Sequence, residues 1–194
     1  MSGKPIVGKP IVVVMGVCGC GKSLVGRMLA ERLGVAYVEG DEHHPPANIA
    51  KMSAGTPLTD EDRWGWLDTL AGFIADADRR GEGLVLACSA LKRRYRDRLR
   101  GDGRRVTFLH LHGDKALIAE RMRARSAHFM PASLIDSQFA ALEPPGADEA
   151  ALTVDVARSP DDIVAEFLAR LPDLLPGQPS GTGPTPPMPA ENPA

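Results

Sequence analysis

The sequence lacks most of what would send a chain to a membrane, a nucleic acid or an oxidising compartment. No apolar run in its 194 residues approaches the ~20 needed to span a bilayer. Residues 1–17 are broken by proline and glycine, and their apolar part is too short for a secretory signal, so a cytoplasmic protein is expected. Lysine and arginine number 23 against 25 acidic residues, a formal charge of -2, and this leaves no excess of positive charge for nucleic acid. Aromatics make up 5%, which provides few platforms for stacking single strands. Three cysteines, Cys18, Cys20 and Cys88, do not make a disulfide framework. Cys18-x-Cys20 has no Cys or His partners at zinc-finger spacing. The remaining composition, 43% hydrophobic and 25% charged, is that of a soluble domain with a sizeable core.

Against that background one stretch stands out. Gly16-Val17-Cys18-Gly19-Cys20-Gly21-Lys22-Ser23 fits G-x-x-x-x-G-K-[ST], the phosphate-binding loop. It follows a β-branched apolar run at residues 11–15 and precedes helical spacing at Val25, Met28, Leu29 and Leu33. In that context the loop turns its main-chain N–H groups inward around phosphate oxygens, and the helix N-terminus points at the same place. Lys22 would reach the β- and γ-phosphates of a nucleotide, and the Ser23 hydroxyl would ligate Mg²⁺. The alternative is a glycine-rich turn without a ligand. Cys18 and Cys20 read first as reduced thiols filling small loop positions; the sharper alternative is that, beside Lys22 and a helix N-terminus, they have lowered pKa values and raised reactivity.

The rest of the chain alternates strand and helix. Strands are expected at residues 36–39, 84–88, 106–111 and 152–155, and helices follow each in turn. Asp41 lies at the carboxyl end of the second strand, where functional groups gather in open α/β sheets. It is a candidate general base for an acceptor hydroxyl or an indirect Mg²⁺ ligand, with a turn or cap aspartate as the alternative. Thr59 to Asp62 predicts a capping box ahead of a helix burying Trp66, Leu67, Leu70 and Ile74. Residues 91–100 read as a basic helix with a mostly solvated face. Arg121 and Arg125 share one helical face, a natural place for cations over a transferring phosphoryl group. The pattern implies an α/β fold: a five-stranded parallel sheet with helices on both faces. We divide it into a loose arm at residues 1–10, a domain at 11–172 and a Pro/Gly-rich disordered tail at 173–194. Within the domain a helical lid at about 121–142 would exclude water.

Several blocks together carry a resemblance. Gly40-Asp41-x-x-His44-Pro45, Asn48-Ile49-x-Lys51-Met52, Gly55-x-Pro57-Leu58-x-Asp60-x-Asp62-Arg63-x-x-Trp66-Leu67 and Cys88-Ser89-Ala90-Leu91-Lys92-x-x-Tyr95-Arg96 accompany the loop. His128-Phe129, Ser137-Gln138-Phe139, Leu142-Glu143 and Pro145-Gly146-Ala147-Asp148-Glu149 continue the series. Over residues 11–171 the chain resembles the gluconate kinases. The resemblance implies a P-loop kinase of the nucleoside-monophosphate-kinase type, usually a homodimer, that phosphorylates gluconate at its terminal hydroxyl with ATP and Mg²⁺. On this sequence it makes Lys22, Asp41, Arg121 and Arg125 the catalytic candidates. The nucleotide would lie on residues 16–24 (Gly16, Val17, Cys18, Gly19, Cys20, Gly21, Lys22, Ser23, Leu24) and Pro160. The acceptor would lie on Asp41, His44, Lys51, Arg63 and Ser89. The family loop usually carries serine where Cys18 and Cys20 stand, and a small or hydroxyl residue where Leu24 stands. Other outcomes left open are a kinase for another small hydroxy acid, such as shikimate, and a non-catalytic nucleotide-binding module.

Overall fold

The structure, a computed structural model, is described for residues 9–101, 105–124 and 133–175. Among these, five parallel strands form one sheet in the order β2-β3-β1-β4-β5. They are β1 (Ile11–Met15), β2 (Ala36–Glu39), β3 (Leu84–Ala87), β4 (Val106–His112) and β5 (Ala151–Asp155). The helices are α1 (Lys22–Leu33), α2 (Pro46–Ser53), α3 (Asp60–Arg80), α4 (Arg93–Arg100), α5 (Lys115–Ala124), α6 (Ser133–Ala141) and α7 (Pro160–Leu174). A 3₁₀ turn, Gly40–His43, follows β2.

Strand periodicity sorts the core into two layers. Val12 and Val14 of β1 face α1 and α7, packing with Val25, Leu29, Ile163 and Phe167. Ile11, Val13 and Met15 face α3 and α4, packing with Trp66, Leu70, Ile74 and Leu99. Both faces of β1 are therefore covered, which explains why its sequence is an unbroken apolar run rather than an alternating one. The strand order reverses at β1, with β3 on one side and β4 on the other. In such sheets the crevice at that switch point, beyond the strands' carboxyl ends, is where ligands bind.

Local signals account for most helix ends. Thr59 Oγ1 accepts from Asp62 N (3.2 Å) and Asp62 Oδ2 from Thr59 N (2.9 Å), completing the expected capping box. Ser159 caps α7 with Pro160 in the first turn. α7 runs on through Pro172 to Leu174, two residues into the stretch assigned to the tail. α6 gives helical form to residues 133–141 of the expected lid; residues 125–132 of that lid, and the arm and tail at 1–8 and 176–194, lie outside the described residues.

The basic helix needs a correction. Arg93, Arg94 and Arg98 do pair with acids at the surface, with Asp148, Asp60 and Asp68. Arg96 instead is fully buried and makes a two-pronged pair with Glu149, Nε to Oε2 at 2.6 Å and Nη2 to Oε1 at 2.8 Å. Its Nη1 also donates to the carbonyls of Ala90, Leu91 and Glu143. Ala90 has φ 40°, a left-handed conformation costly for alanine, so this guanidinium fixes a strained corner directly after β3. Burial works against the Glu149 carboxylate, but the Arg96 fork and the Gly146 N–H overcome it and hold its pKa below the usual value. Removing one partner would leave a buried charge uncompensated. Arg96→Met should therefore cost about 3–5 kcal/mol in denaturant unfolding; a loss under 1 kcal/mol would show the pair to be dispensable.

Candidate active site

The glycine loop leaves the end of β1 in conformations that side chains resist: Gly16, Gly19 and Gly21 have φ of 141°, 83° and 101°. Gly16 N donates to Ser89 O at 3.3 Å, joining the loop to the corner after β3. Lys22, the first residue of α1, is buried, and its Nζ donates to Val17 O at 3.1 Å. Burial pulls the ammonium toward neutrality, but Cys20 and Asp41 stand among the groups opposing it, and the net pKa lies above the ordinary lysine value. A cation is thus held in place at the centre of the loop. Ser23 lies exposed on the first turn of α1, beside the Tyr37 hydroxyl, which donates to Glu39 at 2.7 Å.

Cys20 follows the plainer of its two readings, a small group filling the loop. Cys20 is 2% exposed and belongs to the α1–α7 core layer. Burial raises its pKa, outweighing the lowering by Lys22. A buried, neutral Cys20 packs under the loop as a small apolar group.

Asp41 sits in the 3₁₀ turn after β2, and β3 lies between β2 and the β1 loop. Two contacts seat this turn. A methyl group on Gly40 would stand 2.4 Å from the Ala87 carbonyl oxygen, so the backbone approaches β3 as only glycine allows. The Trp66 indole N–H donates to Gly40 O at 2.8 Å. His44 stacks on the same Trp66, ring centroids 4.0 Å apart and planes 18° from parallel, and shares a 3.4 Å contact with Asn48. Cys88, buried at the end of β3, feels the charges of Asp41, Lys22 and Arg63 together. All three charges thus act on one buried point just past the end of β3.

The remaining expected site residues divide. Leu24, half exposed, lines a hollow with Gly19, Cys20, Gly21, Val25, Pro160 and Arg121. Arg121 Nη2 donates to Val156 O there at 2.9 Å, on the α7 side of the loop. Arg125 lies outside the described residues. Lys51 is occupied by Asp62 at 2.6 Å. Arg63 stands over the Tyr95 ring, 5.8 Å from its centroid. It lines a second hollow with Lys92, Tyr95, Ser137 and Gln138. Gln138 Oε1 accepts the Cys18 N–H at 2.7 Å, which places α6 against the phosphate loop. Lys92, Tyr95 and Gln138 escaped the reading of the sequence as site residues, although all three stand inside the blocks that carry the resemblance.

Comparison with known proteins follows this geometry. A family model described as an AAA domain matches residues 11–145. A gluconokinase of Gluconobacter oxydans (strain 621H) is 48% identical over 157 residues, covering 81% of this chain and 88% of the relative. The chain belongs to the gluconokinase family. Among solved structures, a gluconokinase from Sinorhizobium meliloti 1021 superposes with TM-score 0.78 at 47% identity, covering 86% of this chain and 94% of that one. A sugar kinase from Janibacter sp. HTCC2649 gives TM-score 0.81 at 43% identity, covering 86% and 98%.

Two histidines give this fold a pH signature. Burial holds His44 and His110 each down to about 4. Unfolded, both would titrate near 6.5. Between those values the unfolded chain binds more protons, so stability is complete above about 6.5 and is lost as pH falls toward 4. Melting temperature should decline over that window, and more shallowly in His110→Gln. A flat profile down to pH 4.5 would contradict the buried, neutral assignment.

Proposed function

We infer that this chain transfers the terminal phosphoryl group of ATP to gluconate, giving 6-phosphogluconate and feeding gluconate into carbohydrate catabolism. One observation carries the inference: the phosphate loop at the switch point of a gluconokinase-family sheet holds a buried Lys22, whose pKa Cys20 and Asp41 help to raise against burial. Phosphoryl transfer needs positioning and charge neutralisation more than covalent chemistry. The loop N–H groups and Lys22 would hold the β- and γ-phosphates. The nucleotide base would rest against Leu24 and Pro160 in the hollow beside α7. Asp41 would accept the proton of the acceptor hydroxyl as that oxygen attacks the γ-phosphorus. Arg121 and Arg125 would complete the positive surroundings of the polyphosphate from the lid side. His44, held neutral against Trp66, would supply a hydrogen-bonding edge to the acceptor, and Lys51, Arg63 and Ser89 would frame it.

The donor set suits Mg²⁺. Among the described residues no cluster of three or more His, Cys, Asp or Glu could hold a metal. Ser23 offers one hydroxyl oxygen on the first turn of α1. Magnesium is bound in that manner, by one or two protein oxygens completed by phosphates and water. When bound, the ion would neutralise charge on the phosphate oxygens. No helix of the described residues is long and apolar enough to cross a membrane. The family resemblance supports a cytoplasmic homodimer.

A coupled assay of ADP release against gluconate, related sugar acids and shikimate tests the activity. Gluconate should give the highest kcat/KM. Shikimate in first place would replace the substrate, and ATP binding without acceptor-dependent turnover would make the chain a binding module. Lys22→Ala should remove most activity. Asp41→Asn should lower kcat by about 10²–10⁴-fold while leaving ATP affinity nearly intact. A near-normal kcat in that variant would make Asp41 structural.

A further inference from the structure

Behind the first turn of α1 lies a polar chain that the phosphate loop alone does not explain. Ser23, Gly26 and Arg27 share one face of α1, being three and four residues apart. Tyr37 of β2 lies along that face. A methyl group on Gly26 would stand 2.8 Å from the edge of the Tyr37 ring, so only glycine lets the ring lie this close to the helix. The Arg27 guanidinium covers the ring, 5.0 Å from its centroid. Tyr37 and Glu39, two apart on one strand, point to the same side of the sheet. Val38 between them packs in the opposite layer.

The phenol oxygen stands between two partners. Its O–H donates to Glu39 Oε2 at 2.7 Å. Burial first, and then that carboxylate, push its pKa well above the ordinary tyrosine value, so the proton stays on the phenol. A hydrogen bond from Ser23 and the Arg27 charge work the other way without cancelling the rise. A phenol has one proton to give and lone pairs to receive another. Tyr37 thus gives its proton to Glu39 and offers a lone pair to the Ser23 hydroxyl. Packing does not call for this arrangement, since phenylalanine would cover Gly26 equally well.

A serine oxygen that ligates a cation turns its lone pairs to the ion. Its own proton then needs an acceptor on the far side, and the group that takes the proton orients the ligand. We propose that Tyr37 is a positioning residue for the metal: its phenol oxygen, held by Glu39, accepts the Ser23 proton and keeps the serine lone pairs free for the cation of the nucleotide complex. This rests on the reading of Ser23 as the Mg²⁺ ligand and extends it to the residues behind that ligand. It concerns the nucleotide complex alone, so it can be measured with no acceptor present.

The test uses Mn²⁺, a paramagnetic probe for the Mg²⁺ position, and measures its binding to the full-length protein with ADP by electron paramagnetic resonance. Tyr37→Phe should raise the Mn²⁺ dissociation constant about tenfold, as expected when a ligand loses its outer partner, and leave ADP affinity in EDTA within about twofold. Ser23→Ala should weaken Mn²⁺ at least as much, and adding Tyr37→Phe to Ser23→Ala should change nothing further. Thermal melts of the metal-free proteins show that the variants fold. An unchanged Mn²⁺ constant in Tyr37→Phe, with Mn²⁺ weakened in Ser23→Ala, overturns the Tyr37 link alone. A further loss in the Ser23→Ala background, or an equal loss of ADP affinity in EDTA, means that Tyr37 acts on the fold or the nucleotide and also overturns it. Unchanged Mn²⁺ binding in Ser23→Ala overturns the metal role of Ser23, and the link with it. Absence of gluconate turnover would count against the activity and leave these binding outcomes as they stand.

Discussion

The close approach of Gly40 to the Ala87 carbonyl is the contact on which the candidate site depends. β2 and β3 pair in parallel register, Glu39 beside Ala87, so the chain leaving β2 must pass over the end of β3. With no room for a side chain at Gly40, the 3₁₀ turn lies flat on that end. The Trp66 indole then takes the Gly40 carbonyl, and His44 closes over the indole. Asp41 is thereby fixed relative to Cys88, and Cys88 N bonds to Val14 O of β1 at 3.0 Å. A carboxylate two strands from the phosphate loop is positioned by backbone contacts and one indole, with no direct bond to the loop itself. Preorganisation of this kind is what phosphoryl transfer demands of a protein.

The loop separates two chemically different hollows. On the α7 side, Leu24, Val25, Val156, Pro160 and Ile163 form a mainly apolar wall with Arg121 across it, suited to a flat heterocycle. On the α3–α4 side the lining is cationic and hydroxylated. Charge is thus graded across the sheet's carboxyl edge, from apolar through the Lys22 ammonium to the Arg63 and Lys92 wall. The Arg96–Glu149 pair supports the second hollow from beneath, since it holds the Ala90–Leu91 corner and the Glu143 carbonyl that follows α6. A buried ion pair is weak evidence for stability in itself. Here it ties the strand end, the basic helix and the segment after the lid helix to one guanidinium.

The sequence made the frame legible because local chemistry fixed it. Ile11 to Met15 is an apolar run covered on both faces, Gly34 ends α1 in the left-handed region at φ 62°, and Thr59 to Asp62 starts α3 as the pairing of their side chains and amides dictates. The loop and Asp41 were legible for the same reason, each set by its position at a strand end. Long-range pairings were not. Nothing local distinguishes Arg96 from its neighbours in a run of arginines, yet its partner lies 53 residues away and buries it. Gln138 meets Cys18 across 120 residues, and Lys51 is diverted to Asp62 by the fold of α2 against the start of α3. For Cys20 the sharper alternative, a reactive thiol beside Lys22, fails because packing beneath the loop makes burial the larger effect. Charge near a residue can be read from sequence, but desolvation cannot.

The central claim is positional: a sugar acid lies with its far alcohol, not its carboxylate, against the phosphate loop. Carbon and phosphorus NMR of the product formed from ATP and gluconate measures this most directly. The account predicts a single phosphate ester on the terminal carbon, coupled to phosphorus through that oxygen. An acyl phosphate, or an ester on a carbon nearer the acid, would mean that the acceptor lies the other way round and would contradict it.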